Sequence, residues 1–458
     1  MKVNKYFKNT LGALLCLMAL VPAFAQKRAP NVILILADDM GRECIGAYGS
    51  TYKTPHIDQL AKEGLKFNYA FSQPLCTPTR VQIMTGKYNH KNYSQFGHLN
   101  QDQKTFAHLA KKAGYATAIA GKWQLGANNK LPKHFGFDQY CLWQLDKPRR
   151  DGERYAKPLI DKDGEILKTT DDDYGPDIFV DYLLNFIEKN KDGKFLAYYP
   201  MALVHDPFPP TPDSKSWKTD PAGRHKSDTL NFKDMVTYSD KNVGKIVQKL
   251  KDLGIYENTI IIFTGDNGTG RAIVTPMKDG SSVKGGKGLT IDRGHHVPLV
   301  INWGTRKYKS HETDRLMDFT DILPTLGEAM QVKVPAEWDT DGRSILPLVQ
   351  EKTGRPREWI FSHYTPVHSE SANKNSARFM RNQHYKLYSD GRFYNLEKDI
   401  EEKSPIAEGQ AGAEGELVRK LFVQDMKRFP AWKFGDAPVA KVVLPGLEPD
   451  PAFAEKTD

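Results

Sequence analysis

The chain has 458 residues and a formal net charge of +9, with 65 basic and 56 acidic residues. Its four cysteines are too few for a disulfide scaffold, so a hydrophobic core must stabilise the fold. The small basic excess suits an anionic ligand. Because no lysine and arginine run is interleaved with aromatic residues, we expect no nucleic-acid partner.

The first 25 residues are typical of a secretory signal. Three lysines lie within the first eight residues, and the apolar run at 11–20 is too short to span a bilayer. Ala23 and Ala25 then provide a small-residue cleavage site. We therefore expect residues 1–25 to be removed, giving a periplasmic or secreted protein without a stable membrane span. Cys16 leaves a lipoprotein anchor as an alternative, although the bulky Leu15 precedes it.

Removal of that segment leaves an odd number of cysteines, Cys44, Cys76 and Cys141. A disulfide between Cys44 and Cys141 would leave Cys76 single. The sequence does not decide this pairing, so the state of all three thiols stays open here.

Short apolar runs alternate with segments of helical periodicity along most of the chain. This alternation is typical of an α/β fold with a mostly parallel sheet buried on both faces. The predicted strands are 32–36, 116–120, 195–199 and 260–264, and the predicted helices are 57–64, 106–114 and 235–254.

The pattern changes after a polar hinge at residues 347–356. Short strand-like pieces follow, and then a helix-like stretch at 417–428, which predicts a small antiparallel sheet with a helix on it. We therefore expect a catalytic α/β domain at 26–350 and a smaller C-terminal α+β subdomain with a tail at 351–458.

Charged or metal-binding groups follow all four predicted strands. In an open parallel sheet, ligands bind at the carboxyl ends of the strands, so these groups are expected to converge. Asp38, Asp39, Asp266 and Asn267 offer only oxygen ligands, which favours Ca²⁺, with Mg²⁺ as the alternative. Taken separately, the first pair is also compatible with a helix cap and the second with a turn.

Cys76 begins a segment in which Pro78 suits the first turn of a helix. A cysteine at a helix N-terminus lies where backbone N–H groups favour an anion. Arg80 lies four residues further on, on the same helix face, and can bind the same anion. A buried structural cysteine is the alternative for Cys76 considered alone.

The segment 76–86 reads Cys-x-Pro-x-Arg, then four residues and Thr-Gly, and so resembles the formylglycine-dependent sulfatase signature. The resemblance extends over nearly the whole mature chain and indicates an exported bacterial carbohydrate sulfatase of the alkaline phosphatase superfamily. Further similar segments are 31–39, 54–58, 121–123, 264–268, 285–288 and 394–399.

The resemblance implies that a separate maturation enzyme oxidises Cys76 to formylglycine, whose aldehyde hydrates to a diol. One diol oxygen attacks sulfur and displaces the alkoxide, which forms a covalent sulfate ester. The second hydroxyl then loses its proton and expels sulfate, which regenerates the aldehyde. An unmodified thiol lacks that second hydroxyl. The resemblance also implies a sulfated carbohydrate substrate.

Roles for individual residues follow from the same resemblance. It implies that Ca²⁺ is bound by the four oxygen ligands, that Arg80, Lys122 and Lys287 bind sulfate and the diol, and that His205 protonates the leaving alkoxide. The sequence departs from the family at Gln124, where a histidine is usual, and at His296, where arginine is common. We therefore expect Gln124 to act only as a substrate contact. His295 and His296 are predicted to be specificity residues or, alternatively, turn residues that pack on the core.

Two other functions are compatible with these motifs. A phosphodiesterase or phosphonate hydrolase of the same superfamily would share the fold and, in some members, the modified cysteine. A non-catalytic protein that binds sulfated glycans would bind a sulfated sugar without releasing sulfate.

Overall fold

The structure is a computed structural model that describes residues 29–145, 154–304, 306–436 and 438–449. The predicted signal segment, together with Cys16, lies outside the described residues. Among the described helices, none is long and apolar enough to cross a membrane.

The strands of the described chain form two main sheets and one short hairpin. In chain order they are β1 (Asn31–Ala37), β2 (Leu65–Phe71), β3 (Ala116–Lys122), β4 (Gln139–Trp143), β5 (Ile160–Lys162), β6 (Glu165–Ile166), β7 (Phe195–Pro200), β8 (Thr259–Gly265), β9 (Val274–Pro276), β10 (Ser282–Lys284), β11 (His296–Trp303), β12 (Glu312–Asp318), β13 (Ile360–Tyr364), β14 (Ala377–Arg381), β15 (Tyr385–Tyr388) and β16 (Phe393–Asn395).

Helices connect and cover these strands. In chain order they are α1 (Pro55–Glu63), α2 (Cys76–Thr85), α3 (Asn89–Asn92), α4 (Phe106–Lys112), α5 (Leu131–His134), α6 (Gly175–Lys189), α7 (Lys215–Thr219), α8 (Phe232–Asp252), α9 (Asp292–His295), α10 (Ile322–Ala329), α11 (Leu346–Val349), α12 (Glu370–Asn373) and α13 (Gly412–Met426). Short 3-10 helices lie at Arg42–Cys44, Gly46–Tyr48, Pro221–His225, Thr229–Asn231, Tyr256–Asn258, Phe319–Asp321 and Ala336–Trp338.

The large sheet has the strand order β12-β2-β11-β8-β1-β7-β3-β4-β5-β6. Its central strands β8, β1, β7, β3 and β4 pair in parallel, and β11, β5 and β6 pair antiparallel with their neighbours. The four strands predicted from the sequence are the four adjacent strands β8, β1, β7 and β3. Their carboxyl ends therefore meet at one edge of the sheet.

Both faces of the large sheet are covered, as the uninterrupted apolar runs predict. Successive side chains of β1 alternate between two hydrophobic cores: Val32 and Leu34 lie in one, and Ile33 and Ile35 in the other. This two-sided burial explains why β1 has only apolar residues after Asn31.

The small sheet has the order β13-β14-β15-β16, and all its pairs are antiparallel. Helix α13 packs on it through Phe422, which shares a cluster with Phe361, Met380 and Leu387. The prediction of a large, mostly parallel sheet plus a small C-terminal antiparallel sheet with a helix is confirmed. The domain boundary at residue 350 stays a prediction.

Arg357 connects the segment before β13 to the larger sheet's helical layer. Its guanidinium donates to both carboxylate oxygens of Asp321, at 2.7 and 2.5 Å, and both side chains are buried.

We expect Arg357→Met to lower the free energy of unfolding by about 3–5 kcal/mol, because it leaves a buried carboxylate without its partner. The exposed pair of Arg392 with Asp390 provides the control, and Arg392→Met should cost less than about 1 kcal/mol. Denaturant unfolding of both variants checks this, and equal midpoints would contradict it.

Candidate active site

Charged side chains from adjacent strands meet at the carboxyl edge of the large sheet. Asp38 follows β1, Asp266 follows β8, and Lys122 is the last residue of β3. A backbone hydrogen bond links the segments that carry Asp38 and Asp266, since the Asp266 N–H donates to the Ala37 carbonyl over 2.9 Å. The site therefore lies where open α/β sheets bind their ligands.

Three buried carboxylates and one buried amide form the candidate metal ligands. The backbone N–H of Asp39 donates to Asp266 Oδ1 over 3.0 Å, and Asn267 Nδ2 donates to Asp39 Oδ1 over 2.8 Å. Asn267 Oδ1 is buried and has no hydrogen-bond partner among the described residues. An oxygen without a donor, next to Asp38, Asp39 and Asp266, fits a hard divalent cation such as Ca²⁺ or Mg²⁺.

Each carboxylate also forms a close ion pair with a cationic side chain, and Asp38 has a second, longer contact with Arg80 at 3.8 Å. The pairs are Lys122 with Asp38 (2.7 Å between Nζ and Oδ2), Lys287 with Asp39 (2.7 Å between Nζ and Oδ2) and Arg80 with Asp266 (3.1 Å between Nη2 and Oδ2). The formal charge of these six groups is 3 − 3 = 0. A bound divalent cation would raise it to +2, which suits an anionic ligand.

Gly121 allows Lys122 to reach this cluster. Its φ is +126°, and a Cβ atom at this position would lie 2.0 Å from the carbonyl oxygen of Pro200. The ends of β3 and β7 can therefore approach only with glycine here. This close approach brings the Lys122 ammonium to Asp38.

The pKa values of two carboxyl groups move in opposite directions. Burial and, next, the nearby Asp38 charge raise the pKa of Asp266 to about 8. Burial also opposes ionisation of Asp38, but Lys122 and Arg80 hold its pKa at about 2. Asp38 is therefore an anion at neutral pH, whereas Asp266 requires another cation nearby to be fully ionised.

Cys76 is the first residue of α2, a helix in which every residue is buried. Its Sγ and one carboxylate oxygen each of Asp38 and Asp266 lie within 4.8 Å of one another. Burial raises the pKa of the Cys76 thiol, so an unmodified cysteine is not a thiolate at neutral pH. The cysteine is thus placed at the cluster but is not activated as a thiol.

His205 lies on the loop after β7, where it contacts Lys287. Lys287 Nζ donates to His205 Nε2 over 2.8 Å, and His205 Nδ1 lies 2.6 Å from the Asp206 carbonyl oxygen, to which it donates. The ring is neutral, because burial and the lysine charge lower its pKa well below its usual range. Tyr155, which sequence reasoning missed, donates its hydroxyl to the His205 carbonyl over 2.5 Å and fixes this loop.

Gln124 adjoins the site through α2. Thr77 Oγ1 donates to Gln124 Oε1 over 3.1 Å, and the Gly97 N–H donates to Thr77 Oγ1 over 3.2 Å. Thr77 occupies an unspecified position of the motif, so no sequence signal identified it. The role of Gln124 as a substrate contact stays a prediction.

The structure does not bring His295 and His296 to the carboxylate cluster. The His295 ring is buried between Phe71 of β2 and Phe379 of β14, at centroid distances of 5.4 and 5.1 Å. The His296 ring is bonded to Asp292, with 2.9 Å between Nδ1 and Oδ2. His295 thus lies between the two sheets, whereas the His296 ring packs on Tyr69 and Phe71 of β2. Both positions agree with the alternative of core-packing turn residues.

The remaining cysteines are buried free thiols. Cys44 and Cys141 do not pair with each other, and Cys44 Sγ lies 3.3 Å from Thr269 Oγ1. This structure therefore does not contain the Cys44–Cys141 disulfide that the sequence left open. Cys76 is distinguished by its place at the cluster and not by being the only free thiol.

Comparison with known proteins agrees with this geometry. A family model described as "Sulfatase" matches residues 30–332, and one described as "N-sulphoglucosamine sulphohydrolase, C-terminal" matches residues 286–423. An arylsulfatase of Hemicentrotus pulcherrimus is 30% identical over 363 residues, covering 72% of this chain and 64% of the relative. The chain thus spans less than two thirds of that relative. A sulfatase of Formosa agariphila is 26% identical over 500 residues, covering 88% and 90%.

Solved structures share the fold. Ps i-CgsB superposes with a TM-score of 0.71 and 26% identity, covering 88% of this chain and 92% of that protein, which has also been solved with k-i-k-neocarrahexaose. A phosphonate monoester hydrolase of Agrobacterium radiobacter has a TM-score of 0.62 at 19% identity, covering 87% and 95%, and shows a likeness of fold alone. Because the Sulfatase model matches more than half of the chain and its signature lies at the cluster, this chain belongs to the sulfatase family.

Proposed function

We propose that this protein hydrolyses sulfate monoesters of glycan-derived saccharides, using a formylglycine formed from Cys76. The observation that carries the proposal is the position of Cys76, whose Sγ lies within 4.8 Å of carboxylate oxygens of Asp38 and Asp266. Relatives named as carbohydrate sulfatases support the substrate class. One is the N-acetylgalactosamine-6-sulfatase of Homo sapiens, 30% identical over 363 residues, covering 70% of this chain and 66% of the relative.

In this proposal Asp38, Asp39, Asp266 and Asn267 hold one Ca²⁺, with Mg²⁺ as the alternative. The bound cation supplies a fixed positive charge beside the sulfate oxygens. Arg80, Lys122 and Lys287, each paired with one of these carboxylates, would bind sulfate oxygens. Several cations around one anionic group favour the transition state, in which negative charge moves onto the leaving oxygen.

The nucleophile is proposed to arise from Cys76 through a formylglycine-generating maturation enzyme, before or during export of the chain. A hydrated aldehyde supplies one oxygen for attack and a second hydroxyl for release of sulfate, which a thiol does not. The raised pKa of the buried thiol supports the need for this modification, since the unmodified side chain is neither ionised nor able to complete the cycle.

Protonation of the leaving sugar oxygen is assigned to the contact between His205 and Lys287. The histidine accepts a hydrogen bond from the ammonium at 2.8 Å, so Nε2 can take a proton from Lys287 and donate it to the leaving oxygen, which leaves Lys287 as a neutral amine. Gln124 neither carries a charge nor transfers a proton, so its proposed part is limited to hydrogen bonding of the substrate or the diol.

The test is sulfate release from defined sulfated mono- and disaccharides, with phosphate diesters assayed in parallel. The protein is produced in a host that converts the signature cysteine, and Cys76→Ala gives the background. Sulfate released above this background would support the proposal and identify the preferred sugar. If no sulfate ester releases sulfate although mass spectrometry confirms the aldehyde at residue 76, the proposal is overturned. Hydrolysis of the diester would then favour the phosphoesterase function, and saccharide binding without hydrolysis a glycan-binding function.

A further inference from the structure

Among the residues that the structure describes, Arg154 is a buried cation without a counter-ion. Its side chain is 0% exposed, and Nε and both Nη atoms have no hydrogen-bond partner among the described residues. Two other buried arginines are paired with carboxylates: Arg80 donates to Asp266, and Arg357 donates to Asp321. An unpaired guanidinium inside a protein is costly, which indicates that it binds an anionic group that the described residues do not supply.

Arg154 lies beside the proposed active site. Its guanidinium carbon stacks 4.1 Å from the ring centroid of Trp143, and Trp143 is in register with Lys122 across the β3–β4 pair. The next residue, Tyr155, donates its hydroxyl to the His205 carbonyl. The Arg154 charge is also one cause of the lowered pKa of His205. The cation therefore lies at the same sheet edge, on the His205 side.

The chemistry of a stacked guanidinium defines what it binds. Stacking on Trp143 covers one face of the planar group and leaves the N–H edges free for an anion in the plane. Sulfate and carboxylate oxygens match this fork with two parallel hydrogen bonds. The scissile sulfate already has Arg80, Lys122 and Lys287 in the proposed mechanism, so Arg154 suits a different group.

We propose that Arg154 binds a second anionic group of the substrate, a sulfate or a carboxylate on the same saccharide as the scissile sulfate. This proposal rests on the proposed function and narrows it to saccharides that carry two negative charges. In this proposal Arg154 selects the saccharide, whereas Arg80, Lys122 and Lys287 bind the sulfate that is hydrolysed.

The test compares kcat/KM for three versions of one saccharide: with the scissile sulfate alone, with an additional sulfate, and with an additional carboxylate. For the parent protein we expect a preference of about 10- to 100-fold for one of the two dianionic versions, as a charge-assisted bidentate contact gives. Which version is preferred distinguishes sulfate from carboxylate. Arg154→Met should remove most of this preference, and Arg154→Lys should keep part of it.

The ratio between two substrates does not depend on the fraction of folded enzyme, so it stays informative if a variant is destabilised. Arg224→Met is the matched control, because Arg224 also stacks on a tryptophan, Trp217 at 4.6 Å, but is paired with Asp172. It should keep the parent's preference. A parent without preference, or an Arg154→Met variant with the parent's ratio, would overturn the proposal.

Binding separates failure of this proposal from failure of the proposed function. If no version releases sulfate, the Cys76→Ala protein is titrated calorimetrically with the same saccharides. Tighter binding of a dianionic version that is lost in Cys76→Ala/Arg154→Met would support the anion site even without hydrolysis. Equal affinities in both proteins would reject it.

Discussion

Replacing Cys76 with alanine is expected to abolish sulfate release, with kcat falling by about 10⁴-fold or more, because the variant has no nucleophile. The measurement is sulfate release by equal amounts of folded protein from the preferred saccharide. Cys141→Ala is the matched control, since it also removes a buried free thiol, but from β4. The control should retain most of the parent's rate.

The same loss is expected without any mutation. Protein from a host that lacks the maturation enzyme keeps the thiol at residue 76, and intact mass distinguishes this thiol from the aldehyde. We expect its rate to equal that of Cys76→Ala. Full activity of a chain shown by mass to carry the thiol would contradict the proposed chemistry.

His205→Asn is expected to slow hydrolysis of sugar sulfates by about 10²- to 10⁴-fold, the usual contribution of a general acid. An aryl sulfate with an acidic phenol should be slowed far less, because its leaving oxygen departs without a proton. The measurement is the ratio of kcat/KM on the two kinds of ester, for the parent and the variant. Asparagine keeps an acceptor for Lys287, so the change mainly removes the imidazole.

If His205→Asn slows hydrolysis of sugar sulfates and aryl sulfates equally, His205 does not act as the general acid. His205 would then act through its contact with Lys287, whose ammonium also lies 2.7 Å from Asp39 Oδ2. In that case the imidazole would be a positioning residue for the cation cluster. An unchanged rate on sugar sulfates would exclude either role.

The four strands that carry the candidate site could be predicted from the sequence, because the pattern that identifies each of them lies within a short segment. Each of β1, β3, β7 and β8 is a mostly apolar run, and charged or metal-binding residues lie at its end or within five residues after it. Buried parallel strands require such apolar runs. Strands at the sheet periphery were harder to identify. β12 reads Glu-Thr-Asp-Arg-Leu-Met-Asp, with four partly or fully exposed residues before its buried end, so its composition does not indicate a strand.

The parts of the site that escaped prediction depend on contacts between distant residues. Thr77 bonds to Gln124 across 47 positions, and Tyr155 to His205 across 50. No periodicity or motif spacing encodes such pairs. The sequence also could not predict the places of His295 and His296, because a histidine pair after a glycine occurs both in active-site loops and in hydrophobic cores. Only the packing of β2 against β14 resolves this.

In the proposed mechanism, the complete burial of α2 limits the time in which Cys76 can be modified. Cys76 is 1% exposed once the helix is covered, so a second protein can reach it only before the sheet closes. Two contacts that enclose the helix, Arg80 with Asp266 and Gln82 with Asp318, join residues 186 and 236 positions apart. At ribosomal rates of about 5–20 residues per second, these partners emerge roughly 10 to 50 s after the helix. Modification of Cys76 therefore competes with folding, and slower closure of the sheet should raise the converted fraction.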